Sequence, residues 1–334
     1  MLDNPEPPAV SWVLPVRDGD PWLQQAIESI LADARAGDEI IVVDDGSVRP
    51  VVEMLSSHPD VLVLRQPPLG IVAALETGRA QARGEFIARL DADDEVVPGR
   101  RDAQVDWLRE HPRAAVVGGQ ATMVGPAGAP VTDGMARYLS WVNHLTDHQA
   151  EILVESPLFH PAVMFRASAV EQVGGYRDGD FPEDYDLWLR LVGAGFELGA
   201  LPQQVVVLRD HGRRLTRTDE RYRRRAFRQL KLDWAATHLI QPGMRVAVWG
   251  AGRAGRPWMR WVRAQGGVLE AVFDLQGGGE RQGVRVQPWQ AVEAANFDLL
   301  LVCVGVAQAR REIRAALGRL RPDLREGESW WAVT

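Results

Sequence analysis

Apolar runs alternate with segments of helical periodicity through about the first hundred residues. Four runs are typical of strands, namely VSWVLPV, EIIVVDD, VLVLRQ and EFIARL, and the segments WLQQAIESILADA and IVAALETGRAQARG are typical of helices. Strands that alternate with helices form right-handed crossover units, which build a mostly parallel sheet with helices on both faces. Such sheets bind ligands beyond the carboxyl ends of their strands. The sequence therefore predicts an α/β fold with a site at that edge.

A second α/β pattern begins after Pro242 and Gly243, which break a helix before a new apolar strand. The strand RVAVW is followed by a glycine turn, a helix and the strand LEAVF. A chain of 334 residues is long enough for two or three domains. We predict a first domain over residues 1–240 and a smaller one over residues 241–334.

Composition excludes several classes of function. No apolar stretch reaches the roughly 18 residues of a membrane-spanning helix, and the acidic start MLDNPEPPAV does not resemble a signal peptide, so we expect a cytoplasmic protein. A net charge of −7 argues against nucleic acid as a partner. The single cysteine, Cys303, lies in an apolar run and is expected to be a buried thiol. Lys231 is the only lysine of the chain, which argues against a phosphate-loop motif. It lies in an arginine-rich stretch that we expect to be solvated, which argues against Schiff-base chemistry.

Pairs of acids follow two of the predicted strands. Asp91 and Asp93 are two residues apart, so in extended backbone their carboxylates point the same way and a divalent cation would relieve their repulsion. Asp44 and Asp45 end another strand, where their oxygens could accept hydrogen bonds from a ribose and a base. A polar loop at the first pair, and a strand cap with a turn at the second, are the structural alternatives.

Five motifs occur in an order that resembles family 2 glycosyltransferases. They are LPV, VVDDGS, GIVAALETGRAQARGEFIARLDADD, HPAVMFR and FPEDYDLWLRL, and the resemblance covers residues 10–215. It implies the A-type glycosyltransferase fold and inverting transfer of a sugar, in polysaccharide or glycoconjugate synthesis. The implied partners are a nucleotide-sugar donor and a saccharide or lipid-linked acceptor, and the implied cofactor is Mn²⁺ or Mg²⁺.

The resemblance also implies roles for single residues. Asp93 would hold the metal together with His211, although Arg213 and Arg214 depart from the family pattern there and favour a phosphate-facing role equally. Asp184 would be the general base, and its place in the first turn of a helix is expected to keep it ionised. The same PED sequence is also typical of a plain helix start. His160 and Glu183 would lie on the acceptor side. The residues implied at the nucleotide and donor are Pro15, Asp44, Asp45 and Asp91.

The turn GAGRAG in the second domain has the glycine spacing of a dinucleotide site. Gly250, Gly252 and Gly255 lie between a predicted strand and a helix, and Asp274 ends the next strand. This pattern predicts a Rossmann-like domain that binds a nucleotide or a dinucleotide, with pure scaffolding as the alternative. Two further hypotheses for the whole chain are an NAD(P)-dependent oxidoreductase centred on this turn and a non-catalytic nucleotide-sugar binding protein.

An arginine-dense stretch, residues 209–231, precedes the second domain. A solvated helix face is the ordinary interpretation of such a run. Alternatively, its first part would lie over the donor diphosphate, and its second part would contact anionic lipid. The second interpretation predicts a peripheral protein at the inner face of the membrane.

Overall fold

The computed structural model describes residues 9–19, 21–125 and 129–334, which form two compact units. The first unit is Met1–His148 with Pro157–Ala226, and the second is Gln149–Ser156 with Phe227–Thr334. These limits differ from the predicted 1–240 and 241–334 in two places. The segment Gln149–Ser156 belongs to the second unit, and the second unit resumes at Phe227 instead of residue 241. As functional domains, the predicted limits stay a prediction.

The first unit contains an eight-stranded sheet in the order β3-β2-β1-β4-β7-β6-β8-β5. Its first four strands are parallel to one another, as predicted, whereas β7 runs antiparallel to β4 and to β6. β6 is parallel to β8, and β5 is antiparallel to it, so the sheet as a whole is mixed. The strands are β1 (Val10–Val16), β2 (Glu39–Asp45), β3 (Leu62–Gln66), β4 (Phe86–Arg89), β5 (Glu95–Val96), β6 (Ala114–Val124), β7 (Met164–Arg166) and β8 (Glu197–Arg209).

Helices cover this sheet, and each predicted helix of the first hundred residues is present. Helix α1 buries Leu23, Ile27 and Ile30, whose spacing places them on one face, while every residue of β1 is buried. The apolar runs of β1, β2 and β4 thus belong to strands that are covered on both faces, whereas β3 at the edge of the sheet is partly exposed. The helices are α1 (Leu23–Asp33), α2 (Val51–Met54), α3 (Ile71–Gln81), α4 (Arg100–Glu110), α5 (Asp133–Asn143), α6 (Ala167–Gln172), α7 (Glu183–Gly193) and α8 (Leu215–Thr218), followed by α9 (Arg224–His238), which continues into the second unit.

The second unit contains a six-stranded sheet in the order β11-β12-β10-β9-β13-β14. Its neighbouring strands are paired in parallel, except that β11 is antiparallel to β12. Cys303 follows β13, and its free thiol is buried, as predicted; burial raises its pKa. The elements are β9 (Arg245–Trp249), α10 (Gly255–Ala264), β10 (Val268–Asp274), β11 (Glu280–Arg281), β12 (Val284–Pro288), β13 (Leu299–Val302), α11 (Ala307–Leu320) and β14 (Trp330–Ala332).

The prediction that Lys231 is solvated is wrong. Its side chain is buried in the second unit, where Nζ donates a hydrogen bond of 2.9 Å to the carbonyl oxygen of Val154, and burial lowers its pKa. The physical reason is helical spacing: Trp234 and Ala235, three and four residues further along α9, are buried on the same face. No described helix combines the length and hydropathy needed to cross a bilayer.

Candidate active site

A cavity of about 500 Å³ lies in the first unit, at the carboxyl ends of β1, β2 and β4. The turn after β4 contributes Asp91 and Asp93, and the first turn of α7 contributes two more carboxylates. The segment after β8 completes the wall with His211 and Tyr222, among others. The cavity therefore occupies the edge at which the sequence predicts a site.

Three carboxylates crowd together in the turn after β4. Asp91, Asp93 and Asp94 each present an oxygen within 4.8 Å of the others. Asp94 is fully buried and accepts a 2.8 Å hydrogen bond from the backbone N–H of Arg209, while its Oδ2 has no hydrogen-bond partner among the described residues. Burial, and then the charges of Asp91 and Asp93, raise the pKa of Asp94. Hard divalent cations prefer such oxygen ligands, so this cluster fits Mg²⁺ or Mn²⁺.

His211 contacts this acidic cluster directly. Its Nε2 lies 2.6 Å from Oδ2 of Asp93, and its ring stacks on Trp22 with 4.7 Å between centroids. The guanidinium of Arg213 lies over the same indole, 5.6 Å from its centroid. The structure thus brings His211 to the predicted metal residue Asp93, and it also places Arg213 in the cavity wall. Trp22 was not predicted, because a single tryptophan before a helix carries no specific signal.

The two acids at the end of β2 have different surroundings. Asp44 is buried away from the cavity, and its oxygens accept hydrogen bonds from the backbone N–H groups of Ser47 and Val51. This is the strand cap with a turn that the sequence offered as an alternative. Asp45 lines the cavity beside Pro15, and it accepts hydrogen bonds from the backbone N–H groups at residues 69 and 70. A nucleotide contact stays a prediction for Pro15 and both acids.

Asp184 lies in the first turn of α7 and lines the cavity. Its Oδ1 accepts a 2.7 Å hydrogen bond from the backbone N–H of Tyr185. Burial, and next the neighbouring Glu183, raise the pKa of Asp184 to about 7. Backbone N–H groups at the helix start favour the ionised form of Asp184, as expected, but burial and Glu183 outweigh them in setting its pKa. A carboxylate that titrates near neutral pH is well matched to general-base work.

The predicted acceptor-side residues lie close together in the cavity wall. Nδ1 of His160 is 3.9 Å from Oε1 of Glu183, and the hydroxyl of Tyr222 donates to that carboxylate at 2.7 Å. Nε2 of His160 lies 2.7 Å from the hydroxyl of Tyr176. Burial, and then the charge of Arg89, lower the pKa of His160 well below its usual range, so the ring is neutral. Contact of His160 and Glu183 with an acceptor stays a prediction.

The glycine turn of the second unit joins β9 to α10. Gly250 has a φ of 117°, and a Cβ at Gly255 would lie 1.9 Å from the carbonyl oxygen of Gly250, so both positions need glycine. Around Gly252 there is open space. Asp274 accepts a 2.6 Å hydrogen bond from the backbone N–H of Ala251, which ties its carboxylate to the turn. Nucleotide binding at this turn stays a prediction.

The carboxyl edge of this α/β sheet brings an acidic turn and a separate carboxylate of raised pKa to one cavity, and the chain is similar in sequence to glycosyltransferases. The family model "Glycosyl transferase family 2" matches residues 11–174. An uncharacterized glycosyltransferase of Haemophilus influenzae is 32% identical over 227 residues, which cover 66% of this chain and 79% of that protein. The chain belongs to glycosyl transferase family 2, which confirms the resemblance in its motifs, and it is a glycosyltransferase.

Other relatives have more specific names. The amylovoran biosynthesis glycosyltransferase AmsE of Erwinia amylovora is 28% identical over 56% of this chain and 70% of its own. A UDP-Gal:alpha-D-GlcNAc-diphosphoundecaprenol beta-1,3-galactosyltransferase of Escherichia coli is 26% identical over 62% of this chain and 75% of its own. S. aureus TarS 1-349 in complex with UDP-GlcNAc superposes with a TM-score of 0.53 at 12% identity, over 70% of this chain and 68% of that one, and this likeness shows the fold alone.

Proposed function

We propose that the first unit catalyses inverting, metal-dependent transfer of a sugar from a nucleotide-sugar donor to an acceptor hydroxyl. One observation carries this proposal: a single cavity is lined both by the acidic turn after β4 and by Asp184 at the start of α7. The two parts suit the two requirements of inverting transfer, which are charge stabilisation on the leaving group and a base for the attacking hydroxyl.

The acidic turn supports the metal requirement. Asp93 would hold the ion, with Asp91 toward the donor ribose and His211 as a further ligand once it exchanges its bond to Asp93. The unpartnered Oδ2 of the buried Asp94 supports the fit, because a cation nearby would offset the cost of leaving that oxygen desolvated. When bound, a divalent ion supplies Lewis-acid stabilisation of the leaving diphosphate.

Asp184 supports the base requirement. In the proposed step its carboxylate takes the proton of the acceptor hydroxyl while the hydroxyl oxygen forms a bond to the anomeric carbon. The bond from that carbon to the diphosphate oxygen breaks on the opposite side, so the configuration inverts and the nucleoside diphosphate leaves with the electron pair. A positioned base contributes on the order of 10²- to 10⁴-fold to such a step.

The biological setting is proposed from the names of the relatives. AmsE acts in amylovoran biosynthesis, and the E. coli enzyme is named for a UDP-Gal donor and a diphosphoundecaprenol-linked acceptor. We therefore propose that this chain acts in polysaccharide or glycoconjugate synthesis, with a saccharide or lipid-linked acceptor. UDP-sugars are the donors to test first.

A donor screen tests the proposed function. The full chain is incubated with UDP-Gal, UDP-GlcNAc and other nucleotide sugars, with Mn²⁺ or with EDTA, and nucleoside diphosphate release is measured with saccharide and lipid-linked acceptors. We expect release that needs acceptor and metal, and NMR of the product should show the inverted anomeric configuration. Release unaffected by EDTA, or a retained configuration, would contradict the metal or the mechanism. Oxidation of NADH added to parallel samples would instead favour the oxidoreductase hypothesis.

For the second unit we propose a Rossmann-like domain that binds a nucleotide or serves as a docking module. Its parallel strands β12-β10-β9-β13-β14 follow the order of the first five strands of a Rossmann sheet, and the glycine turn follows the first of them in sequence. The variant Gly252→Asp tests binding without disturbing the turn, since the space around Gly252 is open. Saturable binding of NADH or ATP that this variant loses would support a nucleotide site; equal binding of these two ligands by both proteins would exclude it.

We also propose peripheral membrane contact through residues 209–231. Ion pairs within this stretch limit which of its arginines could contact lipid. Much of the stretch is neutralised internally, since Arg217 pairs with Asp210, and Arg223 and Arg225 both pair with Glu220. Arg224 and Arg228 on α9 are exposed and could contact anionic lipid. Co-sedimentation with anionic vesicles should occur at low salt, weaken at high salt and decrease in Arg224→Gln/Arg228→Gln. Vesicle binding that is the same at low and high salt would rule out electrostatic contact.

A further inference from the structure

Arg89, the last residue of β4, is a buried cation in the cavity wall. Its residue exposure is 4%, and one of its terminal nitrogens pairs with Oδ1 of Asp91 at 2.5 Å. Its backbone N–H donates to the carbonyl oxygen of Val163, which fixes the strand end. Among the described residues, the side-chain Nε and Nη1 of Arg89 have no hydrogen-bond partner. Leaving buried donors unpaired is costly, so a purely structural role does not explain this arginine.

Arg100 shows what a structural arginine looks like in the same unit. It is also fully buried, yet its guanidinium donates to the side chain of Gln104 and to three backbone carbonyl oxygens, those of Pro161, Arg89 and Val163. Arg100 does not line the cavity. The difference in hydrogen bonding between two buried arginines of one unit sets Arg89 apart.

The groups that act on Asp184 come from several elements. Glu183 lies on the same helix, Arg89 comes from β4, and the hydroxyls of Tyr176 and Tyr222 come from the segments before α7 and after α8. Of these groups, only Arg89 carries a positive charge. Its charge opposes burial and Glu183, because it favours the ionised form of Asp184.

Building on the proposed function, we propose that Arg89 is a positioning residue that serves both halves of the reaction. One side of its guanidinium holds Asp91 toward the donor, and its charge acts on the base Asp184, which lines the same cavity. Arg89 contacts neither reacting atom. It acts through the carboxylates of Asp91 and Asp184, and it would link donor binding to the ionisation of the base.

The pH profile of transfer tests this role. We compare wild type, Arg89→Met and Arg89→Lys by kcat/KM for the acceptor between pH 5 and 9, at saturating donor and Mn²⁺. In Arg89→Met the acidic limb should move to higher pH by about one unit, which is the usual size of the effect of a nearby charge. In Arg89→Lys the limb should stay with wild type, because the charge is kept. Donor KM should rise in both variants, and more in Arg89→Met.

Two further variants make the result unambiguous. Arg83→Gln removes an exposed arginine that pairs with Glu39, outside the cavity, so its profile should match wild type. Where Arg89→Met does not fold by circular dichroism, Arg89→Gln replaces it with the same expected shift. An unmoved limb in a folded neutral variant, or a limb displaced in Arg89→Lys, overturns the assignment. Failure of wild type to transfer from any donor would instead overturn the proposed function itself.

Discussion

The carboxyl edges of the two sheets use their acids in opposite ways. At the second edge, Asp274 accepts hydrogen bonds from the backbone N–H groups of Ala251 and Leu275, so its charge serves its own turn. At the first edge, Asp93 faces His211, and the buried Asp94 keeps an oxygen without a partner among the described residues. An acid that follows an apolar strand therefore serves its own turn at the second edge and faces another side chain at the first.

The first edge repeats this contrast within itself. The carboxylate of Asp44 accepts hydrogen bonds from the backbone of the turn that follows β2. The carboxylate of Asp184 instead lines the cavity, and burial and Glu183 raise its pKa to about 7. Residues of the first kind should matter for stability, and residues of the second kind should matter for the reaction. The four predictions below test that division, beginning with the largest effect.

Asp184→Asn should lower kcat by at least about 10²-fold, because the amide keeps the shape of the side chain but cannot accept the proton. Donor affinity should stay close to wild type. The measurement is transfer at saturating acceptor, together with calorimetry of the nucleoside diphosphate. Asp178→Asn is the matched control, since Asp178 is exposed and does not line the cavity. Near wild-type turnover in Asp184→Asn would remove this residue from the base role.

His211→Ala should raise the Mn²⁺ concentration for half-maximal transfer by roughly 10-fold or more, as expected for a group that binds or orients a metal ligand. Trp22→Ala should have a smaller effect in the same direction, because it removes only the ring stacked on His211. Metal titrations of activity measure both. An unchanged metal requirement in His211→Ala would leave Arg213 and Arg214 as the groups that give this segment its function.

Wild-type transfer should fall about tenfold per pH unit below pH 7. The pKa of Asp184 is raised to about 7, so its carboxylate becomes protonated as the pH falls through that value and can no longer take a proton. The acceptor dependence of the rate at several pH values, with Mn²⁺ held saturating, is the measurement. An acidic limb near pH 4 would mean that the cavity is more hydrated than its burial indicates.

Asp274→Ala should lower the free energy of unfolding by about 2 kcal/mol, because two backbone N–H groups lose a charged acceptor. Transfer by the folded protein should not change. Chemical denaturation and transfer assays of the same preparation give both quantities. A loss of transfer with full stability would mean that the two edges do not divide their roles in this way.

Much of the fold could be predicted from local pattern. Continuous apolar runs indicate strands covered on both faces, and β1, β2 and β4 appear where those runs lie. The segment Gln149–Ser156 could not be assigned to the second unit, because its link is made by single contacts such as that of Glu151 with Arg310. Such long-range ion pairs have no sequence signature.

The sequence could predict which residues lie in the site, because their position on the elements determines this. It could not predict their protonation, because that depends on the groups around them. Asp93 and Asp184 line one cavity as the motifs indicate. The pKa of Asp184 depends on burial and could not be read from helix position. Arg89 could not be predicted as a site residue, because an arginine that ends an apolar strand usually points to solvent. Its side chain is buried, which only the structure shows.

Calorimetry of UDP in the presence of Mn²⁺ tests the central claim most directly, by comparing wild type with one variant at each edge. Asp93→Ala alters the acidic turn of the first unit, and Gly252→Asp adds a charge to the open glycine turn of the second. We expect metal-dependent binding that is lost in Asp93→Ala and unchanged in Gly252→Asp. Binding that survives in Asp93→Ala and disappears in Gly252→Asp would place the nucleotide at the second edge and contradict it.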